Sequence, residues 1–179
     1  SYIIGQLQGY GCPVEEQDFH ASTPVGDVAM KNILVKIPSP NSSIIMYASH
    51  YDTKRLDNFV GANDGGSSTG VLLELARLLC ARKNAETLWL VFFDGEEAFC
   101  EGWDDCGKPE APDNTYGSRR YVSQLQTKNE VNRVRALILL DMMGYKNLEL
   151  GRDTMSTKWL LDVVWQTASE LGHGSVFVN

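Results

Sequence analysis

Residues 88–99 read LWLVFFDGEEAF, and the prediction of the fold starts from them. Its first six residues are apolar without interruption, and Asp94-Gly95 then signals a turn. A short, β-rich apolar run that ends at a turn is typical of a strand buried on both faces. Two adjacent carboxylates, Glu96 and Glu97, follow at its carboxyl end, where open α/β sheets hold their chemistry. The stretch therefore predicts a buried sheet strand with a candidate site at its end.

Other segments of the chain extend this pattern. Strands are predicted over residues 28–37, 43–49 and 134–140, and the last two are expected to be fully buried. Helices are predicted over residues 1–9, 69–82, 117–127 and 156–171. Strands that alternate with helices predict an α/β fold with a mostly parallel twisted sheet and helices on both faces. The length of 179 residues fits one domain.

Composition narrows the functional classes. The net charge of −7, with no basic stripe, argues against a nucleic-acid partner. No apolar run approaches the roughly 20 residues that a membrane span needs. We predict that Cys80, on the apolar face of a helix, is a buried thiol. The sequence predicts equally well that Cys100 and Cys106 form a disulfide or that they do not. Such a bond would favour an oxidising compartment.

Polar residues gather at the predicted strand ends. His50 and Asp52 follow the strand 43–49, Asp141 follows the strand 134–140, and Asp64 lies in a Gly-rich loop before a helix. Carboxylates that are packed together and partly desolvated repel one another, and a dication relieves the repulsion. A set of His, Asp and Glu without Cys suits a catalytic Zn²⁺ site.

Local spacing suggests a separate role for each of these residues. Asp52 lies two residues after His50 and could accept a hydrogen bond from the imidazole, which would fix its tautomer. Successive side chains of extended backbone diverge, so one residue of the Glu96-Glu97 pair can bind metal while the other transfers protons. Lys54 is expected to be a solvated loop lysine.

Five separated motifs carry a family resemblance. They are HYDTK at 50–54, FVGANDGGSSTG at 59–70, LWLVFFDGEEAF at 88–99, NTYGSRR at 114–120 and LLDMMG at 139–144. Together they resemble peptidase family M28, a family of zinc metallopeptidases. Within it, FFDGEEAF and YGSR most closely resemble glutaminyl-peptide cyclotransferases. Ser49 and Thr69 stand where the animal cyclases have a disulfide, which indicates a bacterial-type member.

The resemblance implies roles for individual residues. Asp64 and Glu97 match metal ligands, and Glu96 matches the acid/base that transfers protons. Asp141 matches a carboxylate that is a ligand in two-metal aminopeptidases and a hydrogen-bonding acid in cyclases. His50 would be a ligand only where two metals bind.

Further implications concern the pocket and the extent of the chain. Trp103 would form a wall of the substrate pocket. A further histidine ligand is expected beyond Asn179, so we expect a catalytic domain that is incomplete at both ends, with the C-terminal part missing.

Three functions follow as hypotheses. The first is cyclisation of an N-terminal glutamine of a peptide to pyroglutamate with release of ammonia, supported by one Zn²⁺. The second is an aminopeptidase with two Zn²⁺ ions, in which Glu96 deprotonates a water. The third is a binding domain that keeps the fold without catalysis. We expect a peptide substrate with a free N-terminus, a secreted or periplasmic location, and a monomer when the chain is complete.

Overall fold

The computed structural model describes residues 1–178, which divide into two compact units, residues 1–143 and the residues from 144 onward. The first unit holds a five-stranded sheet together with three of the helices. Its elements are, in chain order, α1 (Tyr2–Gly9), β1 (Val14–Thr23), β2 (Gly26–Ile37), β3 (Ile44–His50), α2 (Gly66–Cys80), β4 (Thr87–Phe93), the short β5 (Gly107–Lys108) and β6 (Ala111–Pro112), α3 (Tyr116–Thr127), a 3₁₀ turn (Val131–Arg133) and β7 (Val134–Leu139).

The sheet runs in the order β1-β2-β4-β3-β7. Strand β3 pairs in parallel with both β4 and β7, whereas β2 is antiparallel to β4 and to β1. The α/β prediction is confirmed, and the sheet is mixed: its parallel part consists of β4, β3 and β7. The strand β1 is absent from the sequence-based prediction. Most of its side chains face solvent, so its apolar pattern is weak.

Helices cover both faces of the sheet, as predicted. On one face, Leu7 of α1 and Leu72 of α2 pack in a cluster with Leu90 and Phe92 of β4. On the other face, Tyr121 and Leu125 of α3 pack with the alternate β4 residues, Trp89, Val91 and Phe93. All seven residues of β4 are buried, which is the pattern expected of a strand covered on both sides.

The prediction that β7 is fully buried is wrong. Its residues alternate between half-buried and exposed, and the side chains of Leu137 and Leu139 are 50% and 63% exposed. Among the described residues β7 pairs only with β3 and forms an edge of the sheet. An apolar run in the sequence does not reveal whether other elements cover it.

Cysteine pairing corrects a second prediction. Cys80, predicted to be a free thiol, forms a disulfide with Cys12, across 68 residues of chain. The bond joins the chain just after α1 to the last residue of α2, within the apolar cluster on that face. The open question about Cys100 and Cys106 is settled by a second disulfide between them.

The second unit contains the helix α4 (Lys158–Glu170) and a short parallel bridge between Leu150 and Phe177. The ring of Phe177 packs edge-on against Trp165 at a centroid distance of 5.3 Å. The indole N–H of Trp165 donates to the carbonyl of Val178. Across the described residues of both units, the helices are too short or too polar to cross a membrane.

Candidate active site

The candidate site lies at the carboxyl ends of the three parallel strands. His50 is the last residue of β3, Glu96 and Glu97 follow β4, and Asp141 follows β7. Because β3 is parallel to both neighbours, these ends meet at the same edge of the sheet. All of these residues belong to the first unit.

Asp64 reaches the same edge through the loop before α2. The next residue, Gly65, has φ +78°, and a Cβ there would lie 2.7 Å from the carbonyl oxygen of Asp52 and 3.2 Å from Cε1 of His50. Glycine therefore allows the loop to lie directly against the imidazole. The hydroxyl of Thr69 donates to the carbonyl of His50 at 2.9 Å and fastens the start of α2 to the end of β3.

His50 lies at the centre of the acidic groups, with its side chain 3% exposed. Its Nε2 is 3.0 Å from Oδ1 of Asp64 and 3.4 Å from Oδ1 of Asp141. Its Nδ1 is 3.5 Å from Oδ1 of Asp52 and 4.0 Å from Oε2 of Glu96. Neither buried ring nitrogen completes a hydrogen bond of acceptable geometry with these groups. The imidazole is therefore surrounded by carboxylates without being satisfied by them.

These contacts shift the pKa values of His50 and of three of the acids. Burial is the largest single influence on His50 and opposes its charge, but the contacts with Asp141 and Asp52 and the charge of Glu96 outweigh it and raise its pKa to about 11. Interaction with His50 lowers the pKa of Asp141. Burial, only partly opposed by the charge of His50, raises the pKa of Glu96 to about 7. Burial and the neighbouring charges of Asp64 and Asp52 raise the pKa of Glu97.

The residues present fit a metal dication. His50, Asp64 and Asp141 each offer a ligand atom, and the three atoms lie within 4.8 Å of one another. Glu97 is close enough to Asp64 for their charges to interact. A buried imidazole without a hydrogen bond, among carboxylates that repel one another, is the environment that a dication neutralises. The site thus brings His50 within 4.0 Å of Asp52, Asp64, Glu96 and Asp141, whereas Glu97 lies outside the group of three ligand atoms and lines a second cavity with Asp52.

Asp52 lies beside His50 and also contacts the backbone of the acid pair. Its carboxylate accepts hydrogen bonds from the backbone N–H groups of Glu96 and Glu97, each at 3.0 Å. These bonds are shorter than its 3.5 Å approach to Nδ1 of His50. Asp52 therefore holds the backbone of the acid pair as well as lying beside the imidazole.

The sequence also led to predictions for Trp103 and Lys54. Trp103, the predicted pocket wall, is 44% exposed, and its carbonyl accepts a hydrogen bond from the Asn114 amide. It lines neither of the two described cavities beside the site. Lys54 was expected to be solvated, but its ammonium donates to the carbonyls of Ala98 and Cys100 at 2.7 and 2.6 Å. A loop lysine two residues after Asp52 carries no local signal of such contacts.

A cavity of about 310 Å³ opens beside the acids. His50, Glu96 and Asp141 contribute polar groups to its wall, and the rest is mostly apolar. Tyr121 and Leu139 are among the apolar lining residues. An apolar cavity with a few convergent polar groups is the usual form of a small-molecule site.

The start of α3 is fixed against this edge by a buried amide. Asn32 of β2 is fully buried; its side-chain N–H₂ donates to the Gly117 carbonyl at 2.9 Å and its oxygen accepts from the backbone N–H of Asp94 at 3.1 Å. The backbone N–H of Tyr116 also donates to the Gly95 carbonyl at 2.7 Å. The turn that carries the acid pair is therefore attached to both β2 and α3.

The amino-acid sequence is similar to a known family and to individual proteins. A family model described as "Peptidase family M28" matches residues 32–176. A glutaminyl-peptide cyclotransferase of Drosophila melanogaster is 31% identical over 151 residues, which cover 80% of this chain and 41% of that protein. One from Boiga irregularis is 30% identical, over 96% of this chain and 53% of its own length. The chain thus spans about half the length of the curated relatives it matches.

Solved structures of similar proteins share the fold of this chain. The crystal structure of an Acidobacteriales bacterium glutaminyl cyclase superposes with a TM-score of 0.87 at 36% identity and covers 98% of this chain and 59% of its own. A Zn-dependent exopeptidase from Parabacteroides distasonis superposes with a TM-score of 0.80 at 25% identity, over 99% of this chain and 65% of its own. The motifs, the strand-end acids and the family match agree: the chain belongs to peptidase family M28.

Proposed function

We propose that the protein is a zinc-dependent glutaminyl-peptide cyclotransferase, which converts an N-terminal glutamine to pyroglutamate and releases ammonia. The observation that carries the proposal is the position of Glu96: a half-buried carboxylate with a pKa raised to about 7, beside the cluster of His50, Asp64 and Asp141. A carboxyl group with a pKa near neutrality can both accept and return a proton. The similarity to glutaminyl cyclases supports this choice of substrate.

The candidate ligands divide into two sets. Asp64 and Glu97 would hold a single zinc ion. His50 and Asp141 would join them if two ions bind. Zinc bound at this site would polarise the side-chain amide carbonyl of the substrate glutamine.

The acids of the chain would carry the proton transfers. The α-amine of the substrate attacks the side-chain amide carbon, the new C–N bond closes the five-membered ring, and the C–N bond to the amide nitrogen breaks. Glu96 takes the proton that the attacking amine loses and delivers it to the departing ammonia. Asp141 accepts a hydrogen bond from the substrate amine or amide and holds it for attack. No water enters the reaction.

A second function, an aminopeptidase, is supported by a specific observation. His50 is grouped with Asp64 and Asp141, and this set would complete a second metal site. In that case Glu96 would take a proton from a water that attacks the first peptide bond. The Zn-dependent exopeptidase among the similar structures favours the same alternative.

Three peptides distinguish these functions: one that begins with Gln, the same peptide with an acetylated N-terminus, and one that begins with Leu. They should be assayed with the zinc-loaded 179-residue chain and with the longest polypeptide of its gene that contains it. Pyroglutamate and ammonia from the first peptide only would support the cyclase. Free amino acids, with two zinc ions per chain, would refute it in favour of the aminopeptidase. An empty metal site and no product from either polypeptide would favour a binding domain.

The disulfides support a location for this activity. Two disulfides, Cys12–Cys80 and Cys100–Cys106, involve every cysteine of the chain. Such bonds persist in oxidising compartments and are rare where thiols are kept reduced. We therefore propose a secreted or periplasmic enzyme.

A further inference from the structure

The segment from Gly95 to Cys100 carries both acids of the pair but contains no helix or strand. Backbone N–H and C=O groups that leave regular structure still need partners when they are buried. Here several of those partners are side chains. The direction of Glu96 and Glu97 therefore depends on which side chains hold this segment.

Asp52 holds the amino end of the segment. Its two carboxylate oxygens accept from two consecutive N–H groups, Oδ1 from Glu96 and Oδ2 from Glu97, each at 3.0 Å. These two N–H groups belong to two peptide planes that meet at the Cα of Glu96, so the two bonds together restrain φ and ψ of Glu96. A change in these angles would redirect the side chain of Glu96 and the backbone that carries Glu97. Charge-assisted bonds of this kind are stronger than bonds between neutral groups.

Lys54 holds the carboxyl end of the same segment. Its half-buried ammonium donates to the carbonyl of Ala98 at 2.7 Å and to that of Cys100 at 2.6 Å. Because these bonds use two of its three protons, the ammonium is engaged by the backbone. The charge of each side chain thus suits the backbone groups that it binds. The Asp52 carboxylate accepts from N–H groups, and the Lys54 ammonium donates to C=O groups.

On its other side the segment is attached to α3. The backbone N–H groups of Thr115 and Tyr116 donate to the carbonyls of Glu96 and Gly95 at 2.8 and 2.7 Å. Asp52 and Lys54 instead both come from the chain just after β3, two and four residues beyond His50. The same short stretch therefore connects the imidazole to the acid pair.

We propose that Asp52 and Lys54 form a charge clamp, and that they act as positioning residues which set the direction of Glu96 for proton transfer and of Glu97 for metal binding. The inference rests on the proposed function for the role of Glu96, but not for the positioning of the segment. Neither clamp residue needs to touch the substrate. Their effect passes through the backbone between Gly95 and Cys100.

The variants that test the clamp are Asp52→Asn and Lys54→Met. The asparagine keeps one oxygen acceptor and turns an N–H₂ group toward the second amide; the methionine keeps the length of the lysine chain and loses both donated bonds. Asp57→Asn and Lys108→Met are matched controls, because both residues are exposed. Three quantities are measured in the full chain: amide hydrogen exchange over residues 95–100 without metal, zinc affinity by chelator competition, and kcat and KM.

We expect faster exchange over residues 95–100 in both clamp variants. Removing a supporting residue typically lowers metal affinity or activity by about 10–100-fold, so we expect zinc affinity and kcat to fall by that factor with KM changed less than about threefold. The controls should match the parent. A merely structural role would lower the unfolding temperature but leave the folded fraction with the parent kcat and zinc affinity.

The outcomes separate the clamp from the proposed function. If the parent makes no pyroglutamate, yet both clamp variants exchange faster and bind zinc more weakly than the controls, the clamp is upheld and the cyclase assignment fails. If the parent is a cyclase and both folded variants keep exchange, affinity and kcat within twofold, the clamp is wrong. Should one variant not fold, the other decides, since it acts on the opposite end of the segment. Loss of folding in both would overturn a positioning role in favour of a structural one.

Discussion

Replacing both cysteines of the Cys12–Cys80 disulfide by alanine tests how the helical layer over one sheet face is held. The bond links the chain after α1 to the end of α2, and both helices pack on the same apolar cluster. Without it, the unfolded chain gains the freedom of a loop that spans 68 residues. The matched comparison is the Cys100/Cys106 pair, whose loop spans 6 residues.

Loop length sets the expected size of the effect. In the chain-entropy model the stabilisation grows with the logarithm of the number of residues in the loop, which gives ~4 kcal/mol for the 68-residue separation and ~2 kcal/mol for the 6-residue separation. With a urea m-value of about 2 kcal/mol/M, the unfolding midpoint should fall by ~2 M and ~1 M respectively. The long disulfide should therefore contribute about twice as much as the short one.

Urea unfolding followed by circular dichroism measures both midpoints. The parent, the Cys12→Ala/Cys80→Ala variant and the Cys100→Ala/Cys106→Ala variant are compared without reductant and again with it. With reductant the parent and both variants should converge on one midpoint, below that of either variant without reductant, because every disulfide is then open. Equal midpoints for the two variants without reductant, or a larger loss from the short loop, would refute the loop-length argument.

Three substitutions test the site and its support. Glu96→Gln should lower kcat about 10²–10⁴-fold, the range for a general acid/base, with zinc content unchanged, while Glu101→Gln, at an exposed position of the following loop, should keep the parent kcat. Asp64→Asn should weaken zinc binding by more than the roughly 10–100-fold that supporting residues cost, and unchanged affinity in chelator competition would remove Asp64 from the ligand set. Gly117→Ala would place a Cβ 2.3 Å from a backbone carbonyl oxygen and should destabilise the protein by about 1–3 kcal/mol in urea unfolding. Gly70→Ala, with nothing within 4 Å, is its control and should not be destabilised.

Residues that sequence reasoning misjudged share one physical cause. Lys54 and Cys80 were assigned from their neighbours in the chain, yet their partners lie 44 and 68 residues away. The apolar sequence pattern of a strand such as β7 is the same whether other elements cover one face of the strand or both. The strand β1 gives a weak apolar pattern because it lies at the other edge of the sheet, with mostly exposed side chains. For Lys54 and Cys80 the deciding contact is long-range, whereas for β1 and β7 it is the position at an edge of the sheet.

Local patterns in the chain are enough to predict the α/β class and the set of candidate residues. Unbroken apolar runs identified β3 and β4, and the polar residues directly after them could be located because the carboxyl ends of parallel strands share one edge. How those residues are held can be seen only in the folded chain, where His50 lies among four carboxylates and the segment of the acid pair is bound by Asp52 and Lys54. Strand identity follows from local periodicity, whereas the direction of a side chain on irregular backbone depends on hydrogen bonds to residues that are distant in the chain.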